Sequence, residues 1–260
     1  MTPIFKKNTR ARRTAPGFTL VELLVCIAIV AGLSVIAISI AKSSRQKAYL
    51  VSANEKLRSL GSALVGYTTD TNGLLPFEDS PGTDDWTTAA DPANAAAWYN
   101  VLPRQMGFKP VGELGNSPEM FYADSYPIFI QGAPYPDSEK KFGSPYFAVA
   151  MNSRLQRKGE DGIKVQGKLS MVRNPARTVA FLERGMPDDE KVNKAQSGFD
   201  AGPKANPRAF AARHNQKGVL VFFDGHAETR AVSDLIGKGG LIVFPQTDIV
   251  WTMDPEEDPN

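Results

Sequence analysis

Between Glu22 and Lys42 lie nineteen residues without a charge, 23–41, nearly all of them apolar. Counted from Phe18 the stretch is 24 residues long. As a helix it spans about 36 Å, enough to cross a hydrocarbon core of about 30 Å. A helix that is apolar on every side needs an apolar environment around it. Glu22, at the front edge, is the exception. An ionised side chain in mid-bilayer costs roughly 2.5–3.5 kcal/mol on insertion scales and usually has a function.

Charge is unevenly placed around this segment. Residues 1–17 hold Lys6, Lys7, Arg10, Arg12 and Arg13 and no acid. Without those five, 25 basic groups face 28 acidic ones, so the body carries no basic excess of the kind nucleic acid selects. The basic head favours a cytoplasmic N-terminus, against which Lys42, Arg45 and Lys47 act only weakly. Cys26, the single cysteine, lies inside the apolar run, which excludes an intrachain disulfide.

Three readings compete for the segment. A secretory signal peptide, cut near Ser39-Ile40-Ala41, would have a shorter apolar run and no Glu22. A plain signal anchor explains the length but not Glu22 or the Gly17-Phe18 junction. The third takes basic leader, Gly17, Phe18-Thr19-Leu20-Val21-Glu22 and apolar helix together. That combination resembles the N-terminus of type IV pilins and of type II secretion pseudopilins.

The resemblance implies that a prepilin peptidase cuts after Gly17 and that the new terminus, Phe18, is N-methylated. It also implies that Glu22 of one subunit meets the Phe18 ammonium of a neighbour in a filament. A buried charge is tolerated when paired, so the contact would set the stagger between subunits. The blander alternative leaves Glu22 wet at headgroup depth.

The helix has no reason to stop at the membrane. Leu50, Ala53, Leu57, Leu60, Leu64 and Tyr67 recur at spacings of three and four, one stripe of an amphipathic helix. Gly61 and Gly66 weaken it by about 1 kcal/mol each relative to Ala. "DTNG" at 70–73 supplies turn residues. One helix over residues 18–69, about 78 Å long, is therefore expected.

Beyond it the signals are shorter. Asp70, Asn72, Glu78, Asp79, Asp84 and Asp85 make an acidic stretch. Some pseudopilins hold calcium in such a loop, but no full ligand spacing is present and a solvated loop is the simpler reading. Residues 93–106 read as a short helix, with Trp98, Leu102 and Met106 in its stripe. Residues 107–145 give no clear element. "SPYFAVAMN" and "RTVAFLE" read as strands, and "ERGMPDDEKVNKAQSGFDAGPKANP" as a polar loop with exposed charge.

A hairpin is expected at "ARHNQKGVLVFFDGHAETRAV": an apolar strand at 219–223, a two-residue turn at Asp224-Gly225, then alternation that puts His226, Glu228 and Arg230 on one face. His214, nine residues, then Asp224-Gly225 resembles the C-terminal signature of a large bacterial group of pilin-like proteins associated with prepilin-type processing. "YTTDTNGLLP" and "NPARTVAFLE" fit the same group, although the cysteines common in it are missing here. Asp224 reads as a turn residue and His214 as a local hydrogen-bonding group. A zinc set of His214, His226 and Glu183 is chemically conceivable. Neither a Ser-His-Asp or Cys-His arrangement nor a phosphate loop occurs; "GKGG" at 237–240 lacks the spacing.

The expectation is an α+β protein: a basic leader at 1–17, a transmembrane or filament-core helix at 18–41, its amphipathic continuation at 42–70, and a pilin-like domain with an antiparallel sheet at 71–260. It is expected to be a filament subunit and not an enzyme, without a required cofactor. Its partners would be the peptidase, sister subunits, assembly machinery and the bacterial inner membrane, with the C-terminal domain exported. The alternative is a stationary envelope protein whose exported domain binds a ligand or a glycan.

Overall fold

The computed structural model describes residues 19–78, 85–137, 142–155, 157–158 and 164–260. The chain divides into two compact units, Met1–Ser44 and Arg45–Asn260. Helix α1, Leu20–Asp70, contributes to both and has 51 residues. It stops where the turn chemistry requires. Asn72 takes a left-handed φ of 55°, and the Gly73 N–H reaches back to the Thr68 carbonyl at 2.7 Å, closing the end in Schellman fashion.

Within the second unit α1 buries the stripe legible in its sequence. Ala53, Leu57, Leu60 and Leu64 are buried, with Leu50 and Tyr67 packed against the same core. Two polar ties add to it. The Lys56 ammonium donates to the carbonyls of Asp124 and Phe129 and lies 5.3 Å from the Phe129 ring centre. Asn54 donates to Thr229 Oγ1 at 3.2 Å.

The sheet has five strands in the order β5-β1-β4-β6-β7. Its members are β1 (Val149–Asn152), β4 (Val179–Glu183), β5 (Lys204–Ala205), β6 (Lys217–Phe222) and β7 (Ala227–Ala231). Two further short strands, β2 (Arg157–Lys158) and β3 (Lys164–Val165), form a separate ladder. Pairing is antiparallel except for β5, which lies parallel to β1 at the edge.

Every residue of β1 and β4 is buried, because both faces of the sheet are covered. One face carries Val149, Met151, Val219 and Val221 toward α1 and an aromatic layer. There Trp98 lies edge-on to Phe181 at 5.2 Å and to Phe147 at 5.8 Å. The opposite face carries Ala150, Leu182, Leu220 and Phe222 toward Leu235, Ile236, Ile242 and Trp251 of the C-terminal segment. That segment is tied down by the Gln246 amide, which accepts from the Trp251 N–H and donates to Thr252 Oγ1.

Two expected elements come out differently. Residues 93–106 are not one helix. A 3₁₀ turn, Pro92–Asn94, is followed by helix α3, Trp98–Gln105, after α2 at Trp86–Ala90. Ala97 is extended because it bridges to Phe77, whose carbonyl accepts from Trp98 N–H at 2.9 Å. The loop after Glu183 is not simply exposed polar chain. Glu183, Arg184, Met186 and Gln196 are buried, and its end supplies β5.

Candidate functional site

Gly17 and Phe18, the expected cleavage junction, lie outside the described residues. Glu22 lies inside them, and its surroundings are local. Its Oε2 accepts from the Thr19 N–H at 2.9 Å and from the Thr19 hydroxyl at 2.8 Å. The Glu22 N–H in turn donates to Thr19 Oγ1 at 3.2 Å. This is the reciprocal capping box that Thr-x-x-Glu encodes, and it starts α1. Both hydrogen bonds to the Glu22 carboxylate from the described residues fall on Oε2. The helix beyond it is exposed at every position from Leu20 to Ala48, including Leu20, Leu24, Val30, Leu33, Ile36 and Ile40. Its length and apolarity suit a membrane span.

The second cluster of singled-out residues is the hairpin. His214 and Lys217 exchange backbone hydrogen bonds at 2.9 and 3.3 Å around Asn215 and Gln216, both at positive φ. That is the pattern of a type I′ two-residue turn. So the two-residue turn sits here and not at Asp224-Gly225. The β6–β7 connection is a three-residue loop. The Gly225 N–H donates to the Phe222 carbonyl, Gly225 takes a φ of 89°, and the Phe222 N–H donates to the His226 carbonyl. This is a turn followed by a left-handed glycine in the bulge position. Asp224 shapes it by accepting from the His226 N–H at 3.1 Å.

His214 leads into a buried ionic network. Its Nε2 lies 3.1 Å from Glu183 Oε1, and the Glu183 side chain is fully buried. Arg213 Nη1 lies 3.4 Å from the same oxygen, while its Nε and Nη2 grip both oxygens of Asp189. Arg213 also donates to the Arg184 carbonyl. The other oxygen, Glu183 Oε2, accepts from the Val219 N–H at 2.8 Å.

The reason for a carboxylate at this depth is visible in the strand pairing. β4 pairs with β6 through Leu182↔Leu220, but the Glu183 carbonyl turns away to accept from the Ala211 N–H. The Glu183 side chain takes over as acceptor for Val219. Four ionisable side chains are thereby held nearly dry and mutually satisfied, the condition under which buried charge is tolerated. Next to it Arg184 donates to the carbonyls of Gly198, Gly202 and Lys204 and pairs with Asp200. Burial lowers the Arg184 pKa from its usual range, and Asp200 partly offsets this.

Of the conceivable zinc set, the structure brings Glu183 and His214 together and places His226 elsewhere. His226 stacks on Phe222 at 4.4 Å and lies between Asp224 and Glu228. No group of three or more metal-ligating side chains is assembled among the described residues. The acidic stretch is likewise dispersed. Asp70 accepts from the Gln105 amide, Asn72 closes α1, and Asp85 caps α2 through the Thr88 N–H. Glu78 is buried, and Asp79 and Asp84 lie outside the described residues.

Arg213 and Asp189 were not singled out in the sequence. Their partners lie 24 and 30 residues apart along the chain, so no local spacing announces them. No family model matches this chain, and no match is found among curated proteins or solved structures.

Proposed function

We propose that this chain is a membrane-anchored, pilin-like subunit of a type IV pilus-like or type II pseudopilus-like filament. A prepilin peptidase removes residues 1–17, Phe18 becomes the methylated terminus, and the apolar part of α1 leaves lipid for a bundle of sister helices. The observation that carries this reading is the exposure of the apolar part of α1 around its whole circumference from Leu20 to Ala41. Lipid or other helices must cover those side chains. The capping box supports it in a second way. Thr19 shields one oxygen of Glu22 and leaves Oε1 for an ammonium from outside the chain. The pairing would fix the stagger between subunits, with the second unit exported across the inner membrane.

Mass spectrometry of the protein purified from its native membrane tests this. A terminus at Phe18, fourteen mass units heavier for a methyl group, is expected. An intact leader, or a start near Lys42, overturns it, and an intact anchor without filaments favours the stationary envelope protein. Glu22→Leu is expected to insert in the membrane as the native chain does and to fail to enter filaments.

A further inference from the structure

The His-nine-Asp-Gly signature has no assigned task, and its two ends touch different neighbours of one strand. At the His end, the His214 imidazole meets the Glu183 carboxylate of β4, and the same carboxylate accepts from Val219 of β6. At the Asp-Gly end, the turn lies against helix α1. A Cβ built on Gly61 would fall 2.6 Å from the Gly225 carbonyl oxygen and 2.8 Å from Val221 Cγ1. A Cβ on Gly225 would meet Val65 Cγ2 at 3.2 Å, and its φ of 89° already excludes most side chains. Backbone meets backbone there, so only glycine on both sides lets the hairpin and the helix approach. The Phe223 N–H adds a third tie, to the Thr178 carbonyl at the start of β4.

We propose that the signature is a two-ended staple that clamps β6 between β4 and α1, and that its role is mechanical coupling of the helix to the sheet. The spacing follows from the structure. The intervening nine residues are the two turn residues Asn215 and Gln216, the six of β6, and Phe223, the first residue of the next turn. Six strand residues reach about 20 Å. That length separates the turn that follows His214 from the turn that carries Asp224 and Gly225. One residue more or fewer would turn every side chain of β6 to the wrong face. Asp224 is in the signature because it holds the turn that presents Gly225, and His214 because it meets a carboxylate already used by the strand. This staple works whether or not the chain enters a filament.

Amide hydrogen exchange by mass spectrometry on the full chain in detergent micelles tests it. Gly61→Ala and Gly225→Ala are each expected to speed exchange at least about tenfold in residues 53–65 and 222–227. Gly66→Ala is the control, because its Cβ would meet only the flexible Gln105 side chain, and it should exchange like the native chain. His214→Ala is expected to speed exchange by about tenfold or more in residues 180–184 and 217–220, while His214→Gln, which keeps an N–H toward Glu183, should return within about threefold of native. Native-like exchange in Gly61→Ala, or in His214→Ala, overturns the staple. So does acceleration in Gly66→Ala equal to that in Gly61→Ala. Should Gly225→Ala fail to fold, Gly61→Ala carries the same test from the helix side.

Discussion

The apolar half of α1 and the network around Glu183 invert the usual distribution of side chains in opposite ways. In the first, Leu, Ile and Val face outward on all sides and the single acid is capped by its own helix start. In the second, a glutamate, an aspartate, an arginine and a histidine are nearly sealed from water. The difference lies in where the compensation comes from. The network is completed by the chain itself, every charge facing an opposite charge or a backbone dipole. The helix is completed only by something outside the chain. The network is therefore structural, and the apolar helix points to an apolar environment outside the chain.

The sharpest way to break that comparison is to remove one member of the network. Glu183→Ala should cost about 3–5 kcal/mol, because it leaves the Val219 N–H and the His214 imidazole without their partner in a dry interior and takes one of two carboxylates from Arg213. Thermal unfolding of the full chain in detergent reads it. A loss of under about 1 kcal/mol would mean that the network is not self-completed.

The same change at two places on α1 sharpens the contrast. Leu57 is buried and Leu33 exposed. Leu57→Ala should destabilise the second unit by about 2–5 kcal/mol, while Leu33→Ala leaves its unfolding within about 0.5 kcal/mol. Equal effects would dissolve the distinction between the two halves.

A smaller effect tests how the aromatic layer is closed. Tyr122 donates to the Ser144 carbonyl and accepts from the Tyr146 N–H, and Tyr126 donates to the Lys109 carbonyl. Burial pushes both phenols above their ordinary value of 10.0. The unfolded chain then loses those protons first. Stability should be intact below about pH 10 and fall as pH rises further. Tyr122→Phe should cost about 1–3 kcal/mol at neutral pH and flatten that alkaline decline, as measured by denaturation at a series of pH values.

The smallest effect belongs to the helix start. Thr19→Ala removes half of the capping box and should loosen the first turn of α1 by about 1 kcal/mol. Faster amide exchange at residues 20–23 with unchanged unfolding of the second unit is the expected result.

Several features of the fold were legible because they are periodic or local. The end of α1 followed from Asn72 and Gly73, its buried stripe from leucine spacing, and β4 and β6 from apolar runs. The 97–98 break in the expected helix was not legible, because it arises from a bridge to Phe77, twenty residues away. Gly61 read as a weak point of the helix and is instead the place where a turn from residue 225 comes in. The capping box was legible in Thr19 and Glu22, because Thr-x-x-Glu is a local pattern at a helix start.

The sequence by itself determined that one helix begins near Glu22, is apolar all round to residue 41 and then turns one stripe toward a core, because helix periodicity and composition are properties of consecutive residues. Only the tertiary structure decided that Glu183, Asp189, Arg213 and His214 share one dry pocket, and that the Asp-Gly turn lands on Gly61. Those contacts join residues far apart in the chain, and they are chosen by strand register and by the close approach of backbones, for which no short stretch of sequence carries a signal.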